Sequence, residues 1–287
     1  MPTTPIPSSV NQDSSQTGLT LVKFGGAALD DPKCLADVCR EIAVMASRGI
    51  PLVVVHGGGK EINRALDELG FEASFSNGIR ITDRKTLRLA EGILSGSLNS
   101  TIAATVNRSL SAESPVRALG ISARGAGIIY AKKMLGKEGE DLGQVGCVAR
   151  IDKRPLERLL AADFIPVVSP IGEDISGEGA LNINADYAAA ALAGALGCKR
   201  IVFLTDVVGV KGGDGEVIPE ISAPKINQLI SDGVINGGMI PKVECALAAI
   251  NEGCAEAVIC LASRIGVVGE AINGGLVLGT RVCMARC

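Results

Sequence analysis

Short apolar runs alternate with longer amphipathic stretches along most of the chain. Residues 19–24 (LTLVKF), 51–55 (PLVVV), 116–121 (VRALGI), 165–169 (IPVVS), 200–205 (RIVFLT) and 257–261 (AVICL) are rich in Val, Ile and Leu. Near-continuous apolar runs of this length predict strands buried on both faces. Helical spacing of apolar positions occupies 32–47, 61–69, 83–110, 155–162, 185–196, 223–231 and 239–251. This alternation predicts an α/β fold, a three-layer domain with a mostly parallel central sheet and two lobes that change over near residue 190. Two further stretches, 128–134 and 144–151, predict hairpin strands set apart from the main sheet. No internal repeat or low-complexity linker interrupts the pattern.

Residues 1–18 break it, being rich in Pro, Ser, Thr and Gln with Asp13 as the sole charge. They predict a disordered tail, with neither the apolar core of a secretory signal nor the Arg of an organellar presequence. The longer apolar runs at 187–198 and 246–261 fall short of the ~20 residues of a membrane span or contain Glu252 and Glu256, so no membrane partner is expected.

Composition narrows the chemistry. The 287 residues carry 28 Lys plus Arg against 31 Asp plus Glu, a net charge of -3, with five Phe, two Tyr and no Trp. Such a chain lacks both the basic surface and the stacking platforms of a nucleic-acid binder. The single histidine, His56, excludes mechanisms that need two. Nine cysteines (34, 39, 147, 198, 245, 254, 260, 283 and 287) form an odd set without a C-x-x-C pair, mostly within apolar runs. They read as free thiols in a reducing compartment, the cytoplasm.

In open α/β sheets, ligands gather beyond the carboxyl ends of the strands, so the post-strand segments are the candidate site. The first strand runs into Lys23-Phe24-Gly25-Gly26, and the second into His56-Gly57-Gly58-Gly59-Lys60 ahead of a helix. Glycine pairs at strand-to-helix junctions expose backbone N–H groups to an anion, or simply make tight turns. Neither loop matches the P-loop or the dinucleotide fingerprint, and the absence of the latter disfavours a nicotinamide-dependent oxidoreductase. Arg80 precedes Thr82 and Asp83, the candidate N-caps of the long helix. It is either a solvated charge or a fork for a carboxylate. Asn182, Asn184 and Asp186 lead into an alanine-rich helix, as caps or as ligand contacts. Lys242 stands in the first turn of a helix, against the dipole, where an anion would satisfy it or where it simply meets water.

KFGGAAL, VVVHGGGKEIN, GIRITD with its following helix, DLGQVG, LNINAD, LTDVVGV and GGMIPKVE occur in this order over roughly residues 19–260. In these seven motifs the chain resembles the N-acetylglutamate kinases of the amino acid kinase family. The resemblance implies an α/β/α sandwich, with an acyl-substrate lobe over 19–190 and a nucleotide lobe over 191–287. It implies phosphoryl transfer from ATP to the side-chain carboxylate of N-acetyl-L-glutamate, the second step of arginine biosynthesis, by a homodimer or higher homo-oligomer. Carried over by position, Lys23 and Lys242 neutralise the moving phosphoryl group, Asp186 positions both, and Gly25 and Gly26 donate to phosphates. Gly58, Gly59, Arg80 and Asn182 hold the acyl substrate. Asp206, Val207, Val208, Gly209, Val210 and Lys211, with Asn236, Gly237, Gly238 and Met239, line the nucleotide site. Mg²⁺ would arrive on the nucleotide, with no metal site built by the protein.

The residues themselves agree with this chemistry. A carboxylate acceptor is already ionised at pH 7, so no general base is required, and phosphoryl transfer is mostly positioning and charge stabilisation. The chain departs from the family pattern at Lys60, at Ser122-Ala123-Arg124-Gly125-Ala126, at Leu261-Ala262-Ser263-Arg264 and in its Pro-containing N-terminus, which does not show the amphipathic helix of arginine-inhibited hexamers. A sibling kinase for an acylated aminoadipate and a non-catalytic amino-acid sensor are the competing readings.

Overall fold

The computed structural model describes residues 18–275 and 279–284, so the tail expectation for 1–18 falls, apart from Gly18, outside the described residues. From the N-terminus, β1 (Thr20–Phe24) leads through the single turn α1 (Ala27–Asp30) to α2 (Pro32–Ser47), β2 (Leu52–His56) and α3 (Gly59–Glu68). A short hairpin, β3 (Phe75–Ser76) and β4 (Ile79–Arg80), precedes α4 (Arg84–Gly92), a π-helical turn (Ile93–Ser97) and α5 (Leu98–Ser109). Then follow β5 (Arg117–Ser122), β6 (Ile129–Leu135), β7 (Asp141–Ile151), α6 (Arg154–Ala161), β8 (Phe164–Ser169), β9 (Ile171–Asp174) and β10 (Ala180–Ile183). The rest comprises α7 (Ala185–Ala195), β11 (Arg200–Thr205), β12 (Glu220–Ser222), α8 (Ala223–Ser231), α9 (Met239–Asn251), β13 (Glu256–Leu261), α10 (Val267–Asn273) and β14 (Gly279–Cys283).

Eight strands form one sheet in the order β12-β14-β13-β11-β1-β2-β8-β5, parallel except between β13 and β14. Successive side chains point to opposite faces. Leu21, Val53, Val55, Ile201, Phe203, Ala257 and Ile259 enter the core under α7, α8 and α9. Their neighbours Val22, Leu52, Val54, Val202, Leu204, Val258 and Cys260 enter the other core, under α2, α5 and α10. With both faces covered, each of these strands is apolar between its end residues, Lys23 excepted, and each Val, Leu or Ile so buried contributes roughly 1.5–3 kcal/mol of transfer free energy. The α/β/α layering matches the pattern of the sequence.

Three features depart from that pattern or extend it. The expected hairpin strands are present, but β9 and β10 join them in a closed four-stranded barrel, β10-β7-β6-β9. The expected helix over 83–110 is continuous in course but loosens into the π-helical turn, where Gly92, Ser95, Gly96 and Ser97 have low helix propensity. Ser95 Oγ instead meets Ser169 Oγ at 2.7 Å. After β13, Leu261–Arg264 leads to α10, whose open amides at Gly266 and Val268 donate to the Glu41 carboxylate of α2 at 2.5 and 2.8 Å. Arg264 pairs with Glu270 at 2.7 Å.

Chain order reverses at β1. Strands β2, β8 and β5 lie to one side of it and β11 and β13 to the other. Such a reversal opens a crevice at the carboxyl ends of the strands. Phe24 is in register with both His56 and Leu204. Gly25 and Gly57 therefore leave the sheet side by side, next to Thr205 at the end of β11, at the ladder spacing of about 4.8 Å.

Candidate active site

A cleft of about 360 Å³ occupies this crevice. Its walls are Lys23, Gly25 and Gly26 after β1, the Gly57–Lys60 loop after β2, the β3–β4 hairpin, and Asn182 to Asp186 between β10 and α7.

Lys23 is the one charged side chain within β1, and it reaches Asp186 at 2.6 Å, both ends being largely shielded from water. Asp186 is held in the first turn of α7, where Asn184 caps the helix by accepting from the Asp186 amide at 2.8 Å. A carboxylate is favoured at that end of a helix. Gly26 adopts φ 48 and ψ -114, a conformation essentially closed to residues with a side chain, and its carbonyl accepts from the first amides of the following turn.

The same cleft is lined by Arg80, 8% exposed on β4. Its Nη2 donates to the Gly59 carbonyl at 2.9 Å, and its guanidinium lies 4.8 Å from the Phe75 ring centre. Nη1 is buried and has no hydrogen-bond partner. Burial lowers the pKa of Arg80, but a guanidinium stays protonated. A buried donor without an acceptor costs about 1–3 kcal/mol and marks a place for an anionic ligand group. Asp83, and not Thr82, caps α4, accepting from the Thr86 amide at 2.7 Å, and this bond holds its carboxyl below the usual range. Thr82 Oγ1 instead accepts from Asn182 Nδ2 at 3.3 Å.

Lys242 lies in the first turn of α9, outside the walls of this cleft, but α9 packs along α7. Cys245, one turn further on, records the juxtaposition. Burial and then Asp186 push its thiol pKa up, while Lys23 and Lys242 pull it down. The three charged side chains thus lie within electrostatic reach of one buried sulfur.

The segments expected at the nucleotide site fall beside the cleft rather than in it. Asp206, Val207, Val208 and Lys211 follow β11 at the same edge of the sheet as Gly25. Gly209 and Val210 are packed behind them. The Val210 side chain is fully buried, and its amide is engaged by Thr280 Oγ1 at 2.8 Å. Asn236, Gly237 and Gly238 are exposed ahead of α9, and the Met239 amide donates to the Asn236 carbonyl at 3.2 Å. Among the described residues no group of three or more His, Cys, Asp or Glu side chains is arranged to hold a metal ion. The carboxylate that lines the cleft from α7, Asp186, is already paired with a lysine.

Residues 18–260 match the amino acid kinase family. The chain belongs to that family. It is 41% identical over 248 residues to the acetylglutamate kinase of Granulibacter bethesdensis, covering 83% of this chain and 81% of the relative. To the acetylglutamate kinase of Psychrobacter arcticus it is 39% identical over 249 residues, covering 84% and 80%. Among solved structures, N-acetylglutamate synthase from Neisseria gonorrhoeae, complexed with coenzyme A and N-acetyl-glutamate, superposes with a TM-score of 0.80 at 21% identity. That match covers 95% of this chain but 61% of the synthase, so it speaks for a shared fold over part of a longer protein.

Several residues at or near this amino acid kinase cleft were given no role by the sequence, although Asn63 and Lys60 lie within the VVVHGGGKEIN motif. Asn63 lines the cleft from α3 with a buried, unpartnered Oδ1. Lys60, where the family pattern departs, pairs with Asp30 at 2.5 Å and joins the N-terminus of α3 to α1 across the two glycine loops. Arg124, in the atypical Ser122–Ala126 stretch, bridges Glu91 of α4 at 3.0 Å and Glu173 of β9, tying the helix to the barrel. An Asn on a helix or a charge in a turn reads from sequence as solvated surface, and only the fold gives these residues their partners or turns Asn63 toward the cleft.

Proposed function

We propose that this protein transfers the γ-phosphoryl group of ATP to the side-chain carboxylate of N-acetyl-L-glutamate, giving N-acetyl-L-glutamyl 5-phosphate and ADP, as in the second step of arginine biosynthesis. The observation that carries this reading is one cleft lined both by a lysine–aspartate pair and by an unpartnered guanidinium nitrogen. An acceptor with two carboxylates and an amide suits that lining. Its α-carboxylate completes Arg80, with Gly58, Gly59 and Asn182 against the body of the substrate. The side-chain carboxylate then points toward Lys23.

The attacking oxygen is ionised at neutral pH and needs no base. A new bond forms between that oxygen and the γ-phosphorus as the bond to the ADP oxygen breaks. Lys23, Lys242 and the amides of Gly25 and Gly26 stabilise the charge on the three non-bridging oxygens, and Asp186 fixes the ammonium groups. Mg²⁺, held by the phosphates of the nucleotide, supplies further charge neutralisation when bound. The triphosphate runs from the 206–211 and 236–239 segments toward Gly25, so that residues 19–190 serve the acceptor and the remainder serves ATP. Homo-oligomerisation belongs to the same reading, as does residence in the cytoplasm, which the free, buried thiols support.

Hydroxylamine trapping tests the reaction directly. Incubation with N-acetylglutamate, ATP and Mg²⁺ is expected to give the hydroxamate only when all three are present. Its absence with folded protein overturns the reading. Lys242→Ala is expected to lower turnover by about a hundredfold or more, the scale of losing one preorganised charge stabiliser. Faster trapping of the acceptor longer by one methylene would reassign the substrate and leave the mechanism in place, since a methylene is worth only ~1–3 kcal/mol of discrimination.

A further inference from the structure

The phosphoryl transfer leaves the one histidine of the chain without a part. His56 ends β2, is fully buried, and immediately precedes Gly57-Gly58-Gly59. Its Nδ1 lies 2.8 Å from the Gly57 carbonyl oxygen, and its Nε2 lies 3.0 Å from Asn99 Nδ2. A carbonyl oxygen only accepts and an amide NH₂ only donates, so both bonds exist together in a single protonation state, the neutral ring with its hydrogen on Nδ1.

The orientation of Asn99 is itself fixed. It sits on α5 at 2% exposure, and the same Nδ2 donates to the Val167 carbonyl of β8 at 2.9 Å. Flipping the amide would set its oxygen against that carbonyl, so the donor must face both Val167 and His56. Gly120 on β5 leaves the room. A Cβ built there would stand 2.2 Å from Asn99 Oδ1. Burial also keeps the ring neutral, lowering the His56 pKa to about 4.

We propose that Asn99 and His56 are positioning residues for the acyl-substrate loop. Asn99 selects the Nδ1–H form of His56, and that hydrogen holds the Gly57 carbonyl, so that the amides of Gly58 and Gly59 at the open start of α3 stay turned to the cleft. A helix start has amides without internal acceptors, which makes their direction the property that matters for an anionic or carbonyl ligand. The role rests on the reading of Gly58 and Gly59 as the acceptor's cradle, whereas the tautomer stands on geometry alone.

Because the chain has one histidine, ¹⁵N spectra of imidazole-labelled protein report His56 without assignment. At pH 7 the wild type is expected to show a single neutral Nδ1–H ring. An Nε2–H ring, or an averaged one, overturns the proposal. Asn99→Leu is expected to mix the tautomers and raise KM for N-acetylglutamate about tenfold, with KM for ATP within about twofold of wild type, the scale of one buried hydrogen bond. Asn99→Asp, which presents only acceptors when ionised, is expected to move the hydrogen to Nε2 or charge the ring, with a similar rise in KM. Equal shifts in both KM values, or a lower unfolding temperature with unchanged kinetics, would assign the pair a purely structural role and overturn the proposal. Should Asn99→Leu not fold, the wild-type spectrum and Asn99→Asp decide. A wild type with the expected tautomer but no acceptor turnover overturns the functional reading and leaves the tautomer standing.

Discussion

His56 has its titration displaced by the fold, and this links stability to pH. Its pKa falls from 6.5 to about 4 because burial disfavours the imidazolium. Between these values the unfolded chain binds a proton that the folded chain refuses, so stability is full above about pH 6.5 and is lost as pH falls toward 4. The displacement corresponds to roughly 3 kcal/mol at its limit. Urea unfolding followed from pH 7 to pH 4.5 is expected to show this loss, and His56→Gln is expected to remove its share of the slope. Equal slopes in the two proteins would mean that the ring takes up its proton as readily in the folded state as in the unfolded one. At this scale the sequence was partly legible. Lys23, Arg80 and Asp186 stand beside glycines and caps at strand ends, where a charge is conspicuous. Asn63 and Asn99 lie within helices, where a polar residue ordinarily marks the solvent face, and nothing local signals that each is turned inward.

Between α4 and α5, the π-helical turn places Leu94 and Leu98 over the second glycine loop. A Cβ on Gly58 would stand 2.6 Å from one leucine Cδ2 and 2.8 Å from the other. The Gly58 backbone is extended, so any residue could adopt its conformation, and the demand for glycine is purely one of close approach. Gly58→Ala must therefore push the π turn away or shift the loop. Overpacking of this kind costs about 1–3 kcal/mol. The expected outcome is a raised KM for the acyl acceptor together with a lower unfolding temperature. If crystals of the variant showed the loop unmoved and kinetics were unchanged, the leucines would have absorbed the methyl group. The long helices and six of the eight main-sheet strands were legible because their apolar patterns are long or continuous, whereas β12 and β14 at the sheet edge were not expected. Strands β3, β4, β9 and β10 were not, since two to four residues carry no period and the barrel closes through pairings distant in sequence.

Across the whole molecule, the reversal of strand order at β1 sets the two halves of the site against each other. The Gly25 and Gly57 loops leave the sheet next to each other, and the segment after β11 follows beside Gly25. Alternating strands and helices implied a parallel sheet, but the order of its strands depends on long-range pairing that no local pattern encodes. If acceptor and nucleotide occupy separate halves that meet at β1, each should slow amide exchange in its own territory. N-acetylglutamate alone is expected to protect the β3–β4 hairpin and the start of α3. A nonhydrolysable ATP analogue with Mg²⁺ should instead protect residues 206–211 and 236–239. Each ligand at a hundred times its Kd stabilises the native state by about 2.7 kcal/mol, enough to read in locally opening segments. Both ligands together should add protection at Gly25 and Gly26, where the acceptor carboxylate and the γ-phosphate meet. Protection of the β3–β4 hairpin by the nucleotide alone would contradict this division, because ATP would then occupy the end of the cleft assigned to the acyl substrate.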